Sequence, residues 1–282
     1  MNDTEICQGD DFGAYALKGV HKSLLSMAQA QPKNWVGRRV ALALRKIILK
    51  THRGHLIDST LDGLKIRFHT KDNVSERKYL FTPQFFDVFE RDLIAKKLPK
   101  DGVFVDIGAN AGLYTLTAAK HLGDKGRIIS VEPNPVVRQR LEQNLKFNNF
   151  PAKVAIIPCG VSDSNGSFTL YIDKTNLGGS SLHAGRDNQG EGIEIPCRTL
   201  ADILDESKIS KIDILKIDIE GAEEQALRPF FEMADQDLWP DHMIIENDAK
   251  QWESGLIDWL IDKERGYALI KTTRMNIVLS RA

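Results

Sequence analysis

The sequence predicts an α/β protein: a Rossmann-like, mostly parallel sheet ending in an antiparallel C-terminal hairpin, preceded by an N-terminal helical and β-hairpin extension. Three observations predict it. From residue 102 onward, apolar strand-like runs alternate with helical stretches, as in a parallel sheet covered on both faces. The first run, VFVDI (103–107), passes directly into a glycine-punctuated loop, GANAG (108–112), that opens a helix. The ends of the strand runs carry Asp106, Glu132, Asp218 with Glu220, and Glu246 with Asn247, so the expected ligand crevice is rich in carboxylates.

In chain order, residues 12–30 and 34–51 read as helices. The second shows Val36, Val40, Leu44, Ile47 and Ile48 on one face and most of its basic residues opposite. Asp62-Gly63 is a turn dipeptide joining a strand near 55–58 to the alternating run 64–68. Pro83 suits the first turn of a helix running to about residue 98. Strands are then expected at 103–107, 127–132, 153–158, 212–218 and 242–246, with helices at 112–122, 135–148, 222–233 and 252–263. Residues 167–172 and 193–197 form an inserted strand pair, and 267–271 with 276–280 the terminal hairpin. The division expected is an extension over 1–80 and a ligand-binding domain over 81–282.

Apolar residues make up 42% and charged residues 27%, which excludes wholesale disorder. The net charge of -1 conceals an asymmetry. Seven Lys/Arg and no acid lie between Gln31 and Arg53, leaving -8 for the remainder. Cys7, Cys159 and Cys197 form no CxxC pair, so neither a disulfide framework nor a zinc site is indicated. With no signal-peptide pattern and no apolar run long enough to span a bilayer, a cytoplasmic protein is expected.

The loop after the first strand is not GxGxxG, because Asn110 and Leu113 stand where the second and third glycines belong. That removes the close backbone approach a pyrophosphate needs, and Asp106 adds a negative charge at the same place. Both features disfavour a dinucleotide and suit the ammonium and sulfonium of S-adenosylmethionine. Glu132 ends the second strand 26 residues later, where its carboxylate can accept hydrogen bonds from two ribose hydroxyls. The third segment, LKIDIEGAE (215–223), delivers Asp218 and then Glu220 to the same edge. Either can orient an acceptor hydroxyl, take its proton, or join Glu246 around a hard cation; acids here also stabilise a helix N-terminus. No metal site is otherwise indicated.

Together VDIGANAGLYT (105–115), VEPNP (131–135), GGSSL (178–182), RTLADIL (198–204) and LKIDIEGAEEQAL (215–227) resemble the FkbM family of S-adenosylmethionine-dependent methyltransferases. The resemblance covers about residues 81–280, and the KxDxEGAE pattern is its distinctive part. It implies a class I methyltransferase fold and O-methylation of hydroxyls on sugars or secondary metabolites. By matching position it implies that Asp106, Gly108, Asn110, Gly112 and Tyr114 line the methionine end and Glu132 the ribose. Thr115 and Asn134, in the same motifs, are counted with them, and Asp218 and Glu220 face the reacting centre. His183, in the loop after GGSS, rivals the two acids as general base, its ordinary pKa suiting neutral pH.

Other functions remain to be weighed. A nucleotide-dependent oxidoreductase is disfavoured by the loop and the acidic crevice. A nucleic-acid methyltransferase is suggested only by the basic stretch, and no Asn or Asp followed by Pro-Pro and an aromatic is present. A scaffold that kept the fold without activity would not need its cofactor-side acids. The basic helix at 34–53 is expected to pack its apolar face on the domain and leave its charges in water, with contact to an anionic membrane or an anionic substrate as the alternatives.

Overall fold

The structure, a computed structural model, describes residues 11–181, 192–247, 252 and 255–281. Its elements run α1 (Gly19–Gln29), α2 (Trp35–Thr51), β1 (Leu56–Leu61), β2 (Leu64–His69), α3 (Val74–Phe81), α4 (Val88–Lys97), β3 (Val103–Ile107), α5 (Leu113–His121), β4 (Arg127–Val131) and α6 (Pro135–Lys146). There follow β5 (Lys153–Ile157), β6 (Gly160–Val161), β7 (Gly166–Tyr171), β8 (Gly192–Arg198), α7 (Leu200–Glu206), β9 (Ile214–Ile217), α8 (Glu223–Met233), β10 (His242–Glu246), α9 (Leu256–Leu260), β11 (Tyr267–Thr272) and β12 (Asn276–Arg281).

Seven strands form the central sheet in the order β11-β12-β10-β9-β3-β4-β5. Strands β10, β9, β3, β4 and β5 are mutually parallel, while β12 is antiparallel to β10 and β11 to β12. This is the class I methyltransferase arrangement expected. The chain moves outward from β3 through β4 to β5, then returns to β9 on the other side. The strand order therefore reverses at β3/β9, which opens the crevice at their carboxyl ends. Strand β3 alternates between the two faces: Val105 and Ile107 join the core under α7 and α8, and Phe104 the core under α4 and α5.

The inserted pair is present as antiparallel β7 and β8, with the two-residue β6 added parallel to β8 as an unforeseen third strand. The first hairpin closes as a two-residue turn, Asp62 at φ 50° and Gly63 at φ 79°, the left-handed pair that matches strand twist. The expected first helix begins only at Gly19, because Gly13 and Tyr15 donate their backbone N–H groups to the Asp58 carboxylate and run beside β1 instead. Helix α4 starts at Val88 rather than residue 83, since Pro83–Phe85 is a separate single turn and Asp87 is left-handed at φ 40°. The last expected helix is shorter too, α9 beginning after left-handed Gly255.

Two helices were not foreseen, and both carry local caps. Asn73 accepts from Glu76 N–H at the start of α3, and Thr199 from Asp202 N–H at the start of α7. Helix α2 corrects another expectation. It buries Gly37, Ala41 and Ile48, but Trp35, Val36, Val40 and Ile47 are exposed, because its contacts with α1 and α3 use the small-residue side. No described helix is long and apolar enough to cross a membrane.

The extension shares its core with the sheet domain. Ile57, Ile66, Phe68, Tyr79 and Phe81 cluster with Leu113 and Leu116 of α5, and α3 itself runs across residue 80. Along the free edge of β2, Asn144 of α6 and Asn148 just beyond its end act as a substitute strand. Arg67 N–H donates to Asn144 Oδ1 (2.9 Å), and Lys65 exchanges two bonds with Asn148. Arg140 pairs with Asp72 (2.8 Å) and the fully buried Glu76 (3.4 Å) across the same seam.

Candidate active site

Two cavities meet at the crevice. The first, about 600 Å3 and open to solvent, lies over the carboxyl ends of β3 and β4; its apolar wall includes Val131, Pro133, Val161 and Leu170, and Asn110, Glu132, Asp218 and Glu220 supply its polar groups. The second, about 1340 Å3, lies between α2, α3, the start of α4 and the β11–β12 turn, and Asp218, Tyr114, Asp87 and Glu246 line it. Asp218 borders both.

The glycine loop shapes the first cavity by backbone. Gly108 sits at φ 73°, and a Cβ there would lie 1.9 Å from the Asp218 carbonyl oxygen, so only glycine lets β3 and β9 deliver their loops side by side. Gly112 at φ 89° packs on Leu141, where a Cβ would come within 2.4 Å of a side-chain carbon. Asn110, left-handed at φ 51°, donates its N–H to Glu132 Oε2 (2.8 Å), while its own Oδ1 accepts from Ala111 N–H and Asn73 Nδ2 (both 2.7 Å). Glu132 Oε1 also accepts from Asn134 N–H (2.8 Å). Burial pushes the Glu132 carboxyl up to about 7, although those two backbone donors favour its charged form. Over the cavity lies the Gly178-Ser180 loop, tied to the extension through Leu177 N–H on Asp72 O (2.7 Å) and Val74 N–H on Asn176 Oδ1 (3.1 Å).

Beneath the loop is a buried charge network. Lys216, 4% exposed, lies 3.2 Å from Asp218 Oδ2, 3.9 Å from Asp106 Oδ1 and 3.2 Å from Gly108 O, with its ammonium 5.3 Å from the Tyr114 ring centre. Tyr114 donates its hydroxyl to Asp87 (3.0 Å). Burial raises Asp87 to about 6, with Glu90 adding repulsion. Asp218 and Glu246 share a hydrogen bond. Burial and the neighbouring Asp218 charge drive Glu246 up to about 10, so it keeps its proton and donates to Asp218. Asp218 is desolvated too, but Lys216 and that donor outweigh burial and hold it below the usual carboxylate range.

Several sequence expectations are relocated by this geometry. Asp106 is fully buried, accepts from Thr115 Oγ1 (2.6 Å) and faces Lys216, so it lines neither cavity and its charge is compensated internally. Thr115 is equally enclosed, bonded to Asp106 and Ser130. Asn134 is spent capping α6 through Val136 N–H, and Gly112 acts behind the wall. Tyr114 faces the second cavity rather than the first. Gly108, Asn110, Glu132, Asp218 and Glu220 do converge on the first cavity. Glu220 is left-handed at φ 54°, and donor oxygens of Asp218, Glu220 and Glu246 lie within 4.8 Å of one another, the one described group that could hold a cation. His183 lies outside the described residues.

Lys216 and Asp87 were missed. Lys216 had a signal: a lysine inside an otherwise apolar central strand, Ile214-Leu215-Lys216-Ile217, must find carboxylates to be buried. Asp87 had none, since only folding brings it beside Tyr114.

Residues 106–269 match the family model described as the methyltransferase FkbM domain. Over 191 residues the chain is 31% identical to the AMB antimetabolite synthetase AmbE of Pseudomonas aeruginosa, the match covering 55% of this chain and 9% of that protein. It is 29% identical over 184 residues to the 31-O-demethyl-FK506 methyltransferase FkbM of Streptomyces tacrolimicus, covering 55% of this chain and 69% of the relative. Among solved structures, a putative transferase of Pyrococcus horikoshii superposes with a TM-score of 0.42 at 17% identity, covering 86% of this chain and 80% of that one.

Proposed function

The chain belongs to the FkbM methyltransferase family, and from that premise we propose that it uses S-adenosylmethionine to O-methylate a small hydroxylated acceptor, a sugar or a secondary metabolite. The observation that carries the reading is the position of Asp218 on the boundary between the two cavities. Choice of a hydroxyl as the acceptor group follows the oxygen named for the Streptomyces relative.

The first cavity fits the methyl donor. Glu132 keeps lone pairs for ribose hydroxyls beside the two backbone donors it already accepts, the apolar wall of Pro133, Val161 and Leu170 suits an adenine ring, and a Cβ at Gly108 would close the floor. When bound, S-adenosylmethionine supplies a methyl group on a sulfonium, a leaving group good enough that no covalent enzyme intermediate is required. What remains for the protein is alignment and one proton. Asp218 accepts the acceptor's hydroxyl hydrogen and orients the oxygen toward the first cavity. Its low proton affinity means the proton crosses to the carboxylate only as the oxygen's new bond forms and the hydroxyl becomes acidic. Lys216 keeps Asp218 ionised, and Glu246 holds its second lone-pair side. Glu220 flanks the same point from the first cavity.

A mass-spectrometric screen of hydroxylated acceptors for one added methyl, run beside calorimetric titration with S-adenosylhomocysteine, tests the reading. Binding of the product nucleoside with a methyl gained by a hydroxyl compound supports it. Tight binding of NAD and none of S-adenosylhomocysteine would sink it. A cation at Asp218, Glu220 and Glu246 is a second arrangement favoured by their spacing; turnover abolished by a chelator and restored by a divalent ion would establish it.

The outward face of α2, with exposed Trp35, Val36, Val40 and Ile47 among basic residues, supports contact with an anionic membrane surface through 34–53. Sedimentation with phosphatidylserine vesicles but not phosphatidylcholine vesicles is the expected result.

A further inference from the structure

Four cations line the second cavity. Arg38 and Arg45 come from one face of α2, spaced i and i+7 with Leu42 between them; Lys78 comes from α3, and Arg274 from the turn between β11 and β12. The three elements lie far apart in sequence and meet only here. None of the four side chains forms an ion pair or hydrogen bond with another described residue, whereas Arg67, Arg91, Arg140, Arg198 and Arg228 each hold a carboxylate. Placing like charges together without a directly paired counter-charge costs free energy in the free protein. Burial and the nearby Arg77 also depress the proton affinity of Arg45, as expected where a counter-anion is missing.

The same cavity is lined by Asp87, Asp218 and Glu246, and Lys78 lies near enough for its charge to favour ionised Asp218. The cavity therefore combines four cations with the proton-accepting carboxylate. A neutral acceptor would leave the cations uncompensated, and a polyanion filling the whole cavity would meet the acids. A molecule matching both sets of groups carries an anionic group and a hydroxyl.

We propose that the acceptor of this enzyme is a small hydroxylated anion, bearing a phosphoryl or carboxylate group held by Arg38, Arg45, Lys78 and Arg274 while its hydroxyl reaches Asp218. The extension is then the element that selects the substrate. This rests on the methyltransferase reading for the role of Asp218, but not for the anion site itself. Guanidinium groups favour planar, two-point contact with either oxyanion.

The test uses the full chain and inorganic pyrophosphate, with citrate as the carboxylate probe, in calorimetric titration at fixed ionic strength. One site per chain is expected for one of the two probes, weakened at least about tenfold in the double variant Arg45→Gln/Arg274→Gln. The variant Lys46→Gln/Lys50→Gln, with the same loss of charge on residues of α2 that do not line the cavity, should bind as the parent does. S-adenosylhomocysteine affinity, measured in all three, should stay within about twofold, because these cations are absent from the first cavity. Preference for pyrophosphate assigns a phosphoryl acceptor, and preference for citrate a carboxylate. Equal weakening in both double variants overturns the proposal, as does no saturable binding of either probe. Salt-steep binding of an RNA oligomer without either probe overturns it in favour of a nucleic-acid face. Loss of S-adenosylhomocysteine binding by the parent chain, with the anion site intact, would instead count against the methyltransferase reading.

Discussion

The two cavities that meet at Asp218 are built by opposite means. The first is made by the sheet domain alone, from residues 107–133, 159–180 and 218–220, and its loop is shaped by backbone: left-handed Gly108 and Asn110 and two N–H groups on Glu132. The second is made from side chains, contributed by the extension, the start of α4, two strand ends and the terminal turn. A cavity shaped by backbone tolerates few sequences but serves one constant ligand. A cavity walled by side chains from separate segments changes its ligand by changing residues, leaving the sheet alone. The division of labour expected is therefore a fixed donor side and a variable acceptor side, with Asp218 belonging to both.

The strongest way to test that shared position is Asp218→Asn. Methyl transfer should fall by roughly 10²- to 10⁴-fold, with S-adenosylhomocysteine affinity changed by less than about tenfold. Equal loss of both would make Asp218 a donor-side residue only. Next in size is the seam that joins the extension to the sheet. Arg140→Leu strands Asp72 and the fully buried Glu76 without their cation and should cost about 3–5 kcal/mol, read from the denaturant midpoint. The loss should appear in one cooperative transition, since the extension's Phe68 and Tyr79 share a core with Leu113 and Leu116. Two resolved transitions would show that the second cavity can come apart while the first stands.

Gly108→Ala attacks the first cavity alone. The new Cβ meets backbone rather than a movable side chain and sits at a positive φ, so a stability loss of about 2 kcal/mol or more is expected together with loss of S-adenosylhomocysteine binding. Unchanged binding would show that the β3 loop is looser than its contacts imply.

The smallest effect is a pH dependence confined to the donor side. Glu132 holds its proton up to about 7 in the folded chain against an ordinary 4.5, because it is buried. The folded state binds the extra proton between those values, so this residue's contribution to stability is full below 4.5 and is lost as pH rises through 7. Nucleoside binding runs the other way, since ribose hydroxyls need the charged carboxylate. Affinity for S-adenosylhomocysteine should rise by up to about tenfold per pH unit below 7 and level off above it, and Glu132→Gln should flatten the curve. A parent profile that is already flat between pH 5.5 and 8 would remove Glu132 from the ribose.

The parts of the fold legible in sequence were those written in short windows. Strand β3 with its glycine loop, the Asp62-Gly63 turn and the terminal hairpin each depend on neighbours within a few residues. Helices α3 and α7 went unforeseen although their signals were equally local, the patterns Asn73-x-x-Glu76 and Thr199-x-x-Asp202 of their caps. Periodicity misled at α2: apolar spacing finds a stripe, but Gly37 and Ala41 let α1 and α3 approach a different side. The reversal of Asp106 has a similar origin. Sequence places its carboxylate at the end of β3, but only the sheet order puts Lys216 of β9 opposite it, and β3 and β9 pair although 110 residues separate Asp106 from its partner Lys216.

By itself, then, the sequence determined the class of sheet, the loop that opens on the first cavity, and the acids Glu132, Asp218 and Glu220 beside it, because each of these is fixed by backbone preferences and spacing within its own short segment. Only the tertiary structure decided which charges neutralise one another and which are left to a ligand. Lys216 answers Asp106 and Asp218 inside the sheet, while the side chains of Arg38, Arg45, Lys78 and Arg274 gather around the second cavity with no ion pair among the described residues. Electrostatic pairing depends on distance in space, and the chain brings these groups together from positions more than 200 residues apart.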